Sequence, residues 1–99
     1  MAKSIRVLIV EDHDMARMGL SVILGNCQDI EIAGMCADGL DGVNNAITLK
    51  PNVVIMDIGL PTMDGIEATK HIRNLDRSDA KKIPIIAIDI FKTEYYYNE

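Results

Sequence analysis

The chain has 99 residues with ten basic against fifteen acidic side chains, a net charge of −5 and a pI near 4.9. This length allows one domain, and the acidic balance argues against direct binding to nucleic acid or to an anionic membrane. It suits a protein that takes a metal cation or a basic partner surface. No apolar run approaches the ~20 residues of a membrane span, and the short apolar run near the N-terminus does not read as a signal peptide. Cys27 and Cys36 match neither a disulfide framework nor a CxxC metal site, so both are expected as free thiols in a reducing cytoplasm.

In chain order, Ile5–Val10 (IRVLIV) is a β-branched apolar run and predicts a strand, which stops at Glu11-Asp12-His13-Asp14. Asp14 is expected to cap a helix carrying Met15, Met18, Val22 and Ile23, with Gly25-Asn26 as its stop. Ile30–Cys36 predicts a second strand, closed by an Asp38-Gly39 turn. Leu40, Val43, Ala46, Ile47 and Leu49 follow at helical spacing until Lys50-Pro51. Residues 52–56 predict a third strand. The next helix is expected over about residues 66–75, with Ile66, Thr69 and Ile72 inward and Lys70, Arg73 and Asn74 outward. The segment DRSDAKK reads as a loop, and Ile83–Ile88 as a fourth strand with Pro84 near its start. Alternation of this kind predicts right-handed βαβ units and a parallel sheet with helices on both faces.

Residues 53–65, VVIMDIGLPTMDG, break their own pattern at Asp57. Four apolar residues read as a strand buried on both faces, and the run then meets a carboxylate. Burying such a charge costs several kcal/mol unless something pairs with it. Strands one, three and four all end in acid, at Glu11-Asp12, Asp57 and Asp89. In a parallel sheet these ends share one edge, where ligands of open α/β sheets sit. Acids at strand ends are often helix caps, but three such ends together predict a cleft of carboxylates joined by a hard cation such as Mg2+. Beside that cation, Asp57 could act as a nucleophile towards phosphorus.

The segments VLIVEDHDMARMGL, VVIMDIGLPTMDGIEATKHIR and IPIIAI resemble the receiver domain of two-component response regulators, over residues 4–89. The resemblance implies a flavodoxin-like α/β fold, a parallel sheet of order 2-1-3-4 continued in the family by a fifth strand. It implies that a sensor histidine kinase or phosphotransfer protein donates a phosphoryl group to Asp57. Glu11 and Asp12 match the family's Mg2+-holding acidic pair, with Asp12 the closer ligand. The Gly59 carbonyl matches a third protein ligand, and Pro61 and Gly65 match the loop after the phosphorylation site. The chain would be a phosphoacceptor rather than an enzyme, cytoplasmic, with no contact to membrane or nucleic acid.

Two departures accompany this resemblance. Asp89 stands where the family has a phosphoryl-binding Ser or Thr, and Lys92 follows it too soon to match the family's essential Lys. The expected organisation is therefore a receiver over 1–89, incomplete at its C-terminal end, and an atypical tail over 90–99. An unpaired fourth-strand edge would favour a homo-oligomer. The competing function is a degenerate receiver acting as a non-switching interaction module. A metal-dependent phosphohydrolase ranks third, since no second acid follows Asp57 two residues on. His13, next to Asp12, could be a metal ligand or a phosphoacceptor but is expected as a solvated loop side chain, and His71 as surface. Met15, Met18, Met35, Met56 and Met63 are expected as core or rim filler, and Tyr95-Tyr96-Tyr97 as a packing segment or a frayed terminus.

Overall fold

The structure is a computed structural model and describes residues 4–76, 78 and 80–88. The expectations for Asp89, Lys92 and the 90–99 tail with its tyrosines lie outside the described residues. Strands β1 (Ile5–Val10), β2 (Ile30–Cys36), β3 (Val53–Asp57) and β4 (Ile85–Ile88) alternate with helices α1 (Asp14–Gly25), α2 (Gly39–Leu49) and α3 (Gly65–Arg73). All strand pairs are parallel and the order is β2-β1-β3-β4, as expected. Asp57 is the last residue of β3 rather than the first of a loop.

Both faces of the two central strands are covered, and their alternation decides which helix meets which residue. Leu8, Val10, Val54 and Met56 form one core with Val43 and Ala46 of α2 and Ala68 and Ile72 of α3. Val7 and Ile9 are also buried, on the opposite face of β1, where α1 packs against β1 and β2. Asp38 caps α2 by accepting from Asp41 N at 2.8 Å, and Asp64 caps α3 by accepting from Glu67 N at 2.9 Å. The Arg6 guanidinium donates to the last carbonyls of α2, Leu49 O at 2.5 Å and Lys50 O at 3.2 Å. It thereby satisfies groups that a helix end leaves orphaned.

Several expectations fail for physical reasons. His13, not Asp14, is the residue before the first turn of α1, and its side chain makes no cap. Asp14 lies inside the helix and accepts from Arg17 Nη2 at 2.6 Å. The stripe Met15, Met18, Val22 and Ile23 is exposed. Met35 is exposed as well, while Met56 and Met63 do serve as filler. Helix α3 starts one residue earlier than expected, and its buried side is Gly65, Ala68 and Ile72, with Ile66 exposed. Arg73 turns inward over the following loop and donates to Ala80 O at 3.0 Å and Ile83 O at 2.7 Å. Leu40 and Ile47 of α2 are half-exposed. Helical spacing records that one side is apolar, but the width of the contact with the sheet decides how much of it is covered.

Gly65 has no room for a side chain, because a Cβ there would collide with the Asp57 carbonyl and lie 2.8 Å from Ile58 Cα. This close approach seats the start of α3 against the end of β3, and Gly65 N donates to Ile58 O at 3.1 Å. We expect Gly65→Ala to lose on the order of 2–3 kcal/mol in urea unfolding. Gly25→Ala, whose Cβ would meet nothing within 4 Å, should be neutral or slightly stabilising. Equal midpoints for both variants would contradict the packing described.

Candidate functional site

Parallel register assembles the site. Val10 pairs with Met56, so the next residues along each strand, Glu11 and Asp57, emerge side by side at the carboxyl edge. The chain leaves β1 towards β2 on one side while β3 lies on the other, which opens a crevice at this switch in strand order. Glu11 is fully buried and Asp57 is 5% exposed. Asp12 and His13 follow in the turn before α1. One ligand atom from each of Glu11, Asp12, His13 and Asp57 lies within 4.8 Å of all the others.

The polar contacts within this group are incomplete. Glu11 Oε2 accepts from His13 N at 3.1 Å and lies 3.3 Å from His13 Nδ1. His13 Nδ1 is also 3.1 Å from Asp12 Oδ1, without hydrogen-bonding geometry. Gly59 N donates to Asp57 Oδ1 at 3.2 Å. Among the described residues, Glu11 Oε1 and Asp12 Oδ1 are buried with no hydrogen-bond partner. Buried carboxylate oxygens left in this state are costly, and two carboxylates ~5 Å apart repel by roughly 3 kcal/mol at an effective dielectric near 20. A divalent cation relieves both costs at once, so the donor set fits a hard metal ion.

Burial pushes the Asp57 carboxyl up from 3.8 to about 6; the Asp12 and Glu11 carboxyls add to the rise, and the Gly59 N–H opposes it. The buried Cys36 thiol is likewise pushed up, to about 11, chiefly by desolvation. As the last residue of β2 it packs into the core as an inert thiol, and Cys27 is free and exposed.

The loop after Asp57 closes one side of the crevice. Leu60 is buried, Pro61 is exposed, and Thr62 holds the left-handed region at φ 60°, which is uncommon for a β-branched residue. Of the residues singled out from the sequence, Glu11, Asp12 and Asp57 converge, Gly59 adjoins them, and Pro61 and Gly65 shape the loop. His71 is on the surface as expected. His13 was undervalued: its side chain is 48% exposed, yet its Nδ1 belongs to the carboxylate cluster. Its position directly after two acids at a strand end was the available signal.

A family model described as the response regulator receiver domain matches residues 7–99. The chain belongs to this family. Among relatives of the receiver, the transcriptional regulatory protein LiaR of Bacillus subtilis is 52% identical over 68 residues, 69% of this chain and 32% of the relative. The response regulator protein VraR of Staphylococcus epidermidis is 39% identical over 88 residues, 89% of this chain and 40% of the relative. The receiver thus spans between about a third and two fifths of the length of these curated relatives.

Among solved structures, the response regulator domain of Thermotoga maritima CheB superposes with a TM-score of 0.78 at 39% identity, covering 93% of this chain and 65% of that one. The receiver domain of sensor histidine kinase PA1611 from Pseudomonas aeruginosa, with a magnesium ion coordinated in its active site cleft, superposes with a TM-score of 0.80 at 25% identity. That match covers 97% of this chain and 75% of that one. The receiver fold here is therefore the flavodoxin-like one. Among the described residues, no helix is long and apolar enough to cross a membrane.

The raised pKa of Asp57 carries a stability consequence in the absence of metal. Its folded value, about 6, lies above the ordinary 3.8, so ionisation favours unfolding: the carboxyl's contribution is complete below pH 3.8 and lost as pH rises through 6. We expect Asp57→Asn, in chelator, to be more stable than the wild type at pH 8 by on the order of 2–3 kcal/mol. The difference should shrink towards pH 4. Urea midpoints across this range check it, and a pH-independent difference would contradict the burial of an ionised Asp57.

Proposed function

We propose that Asp57 is the phosphoacceptor of this receiver and that Mg2+ is held by Glu11, Asp12, Asp57 and the Gly59 carbonyl. The observation that carries the reading is the convergence of Glu11, Asp12 and Asp57 within one 4.8 Å cluster that leaves the buried Glu11 Oε1 and Asp12 Oδ1 without a hydrogen bond. When bound, the metal supplies positive charge that keeps Asp57 ionised and offsets charge on the oxygens of a transferring phosphoryl group.

The protein's own groups do the rest. The Gly59 N–H holds Asp57 Oδ1 and fixes the rotamer, leaving the other oxygen for attack on phosphorus. The O–P bond to Asp57 forms as the P–N bond of a phosphohistidine breaks, and the freed imidazole retains the electron pair and takes up a proton. Glu11, fully buried beside Asp57, contributes charge without being accessible to the donor. The donor is a sensor histidine kinase or a phosphotransfer protein, since the phosphoryl source must carry a reactive P–N or comparable bond. The intact acidic set supports chemistry at this site over a non-switching interaction module.

Incubation with a small phosphodonor and Mg2+, followed by intact mass measurement, tests the proposal. We expect a gain of a single phosphoryl group in the wild type, lost on alkaline treatment as an acyl phosphate should be. Asp57→Asn should show none, and chelator should abolish the gain in the wild type. Equal uptake by the variant would place the acceptor elsewhere.

A further inference from the structure

His13 is the member of the cluster that a site for Mg2+ alone does not need. Mg2+ favours an all-oxygen octahedron and keeps several waters, whereas an imidazole nitrogen suits Zn2+, Co2+ and Ni2+, which also bind a given mixed site more tightly in the Irving–Williams order. The geometry bears on this directly. Adjacent ligands around an ion lie about 3.0 Å apart in an octahedron with ~2.1 Å bonds and about 3.3 Å apart in a tetrahedron with ~2.0 Å bonds. His13 Nδ1 lies 3.1 Å from Asp12 Oδ1 and 3.3 Å from Glu11 Oε2. These spacings suit neighbouring donors on one ion when Nδ1 is unprotonated, and a hydrogen bond from Nδ1–H to Glu11 Oε2 when it carries the proton.

The backbone holds the imidazole there. His13 precedes the first turn of α1 with extended φ and ψ of −83° and 122°, and its N–H donates to Glu11 Oε2 at 3.1 Å. The Arg17 guanidinium, donating to Glu11 O at 2.9 Å, fixes the turn from the helix side. Glu11 Oε1 is buried with no hydrogen-bond partner, an observation independent of these spacings that also points to a cation.

We propose that His13 is a nitrogen ligand that makes this centre bind borderline-soft divalent cations of the Zn2+, Co2+ and Ni2+ class in competition with Mg2+. The inference rests on the metal reading of the same site. In its Nε2–H tautomer the imidazole presents the Nδ1 lone pair to an ion shared with the carboxylate oxygens it lies beside, Asp12 Oδ1 and Glu11 Oε2. The receiver would then load its phosphoacceptor centre with whichever divalent ion is in excess, and a tightly held soft ion would displace Mg2+ from Asp57.

Mg2+ and Co2+ titrations of the tag-free 99-residue chain test this on wild type, His13→Gln and Asp57→Asn. Each is repeated with Cys27→Ser, because the exposed thiol could hold Co2+ by itself. In the wild type we expect Co2+ to bind more tightly than Mg2+ and to displace it. Its proton spectrum should show one contact-shifted, exchangeable imidazole N–H resonance. His13→Gln should abolish that resonance and lower the Co2+ to Mg2+ affinity ratio by about tenfold or more, the scale seen when a metal site loses a supporting group. Retained Mg2+ binding in His13→Gln reports that the variant is folded. An unchanged ratio with Mg2+ bound, or a resonance that survives in His13→Gln, would overturn the role of His13 while leaving the Mg2+ reading intact. No Mg2+ binding in the wild type, or binding indifferent to Asp57→Asn, would overturn the underlying metal reading as well.

Discussion

The repulsion between buried carboxylates is the constraint on which the rest of this structure turns. Parallel pairing of β1 with β3 puts Glu11 and Asp57 next to one another where apolar strands end. Neither can move into solvent, because each is anchored to a strand buried on both faces. The backbone therefore holds together what electrostatics would separate, and it does so at the cost of an Asp57 carboxyl pushed up to about 6. A site of this kind is unfavourable when empty and favourable when a cation enters, which is how a fold can store affinity for a metal.

The neighbouring elements serve that arrangement. Gly65 lets α3 start close beneath Asp57, and the Asp64 cap fixes where that helix begins. The connecting loop accepts a left-handed Thr62 to make the span in so few residues. On the other side, Gly42 brings α2 within 3.1 Å of the Val10 side chain, measured from where its Cβ would stand. Packing on β1 and β3 is thus tightest just below the acidic edge, where displacement of either strand would spoil the spacing of the carboxylates. Local order and the chemistry of the site are one problem.

The outer parts of the molecule follow looser rules. Helix α1 has no buried residue and shows Met15, Met18, Val22 and Ile23 to solvent, although its spacing is as regular as that of α3. Among the described residues β4 pairs with β3 alone, and Ile86 is half-exposed. These surfaces carry apolar side chains without forming the core, which lies between the central strands and the facing sides of α2 and α3.

Sequence alone determined the order of elements, the parallel sheet and the three acids that meet, because β-branched runs, Asp and Gly punctuation and the strand-end carboxylates are local signals. The resemblance of the loop after Asp57 to a known family fixed the chemistry expected there. Which side of each helix is covered was not legible in the same way. Ile66 and Ala68 are both apolar, and only the packing of α3 on the sheet turned Ala68 inward and left Ile66 exposed. Arg73 read as a surface charge until the fold brought two carbonyls of the next loop to its guanidinium. His13 read as a loop residue because its partners depend on the angle at which the chain leaves β1. That angle is a property of the packed sheet and helix: its place after two acids made His13 a candidate, but only the tertiary structure brought its imidazole to the carboxylates.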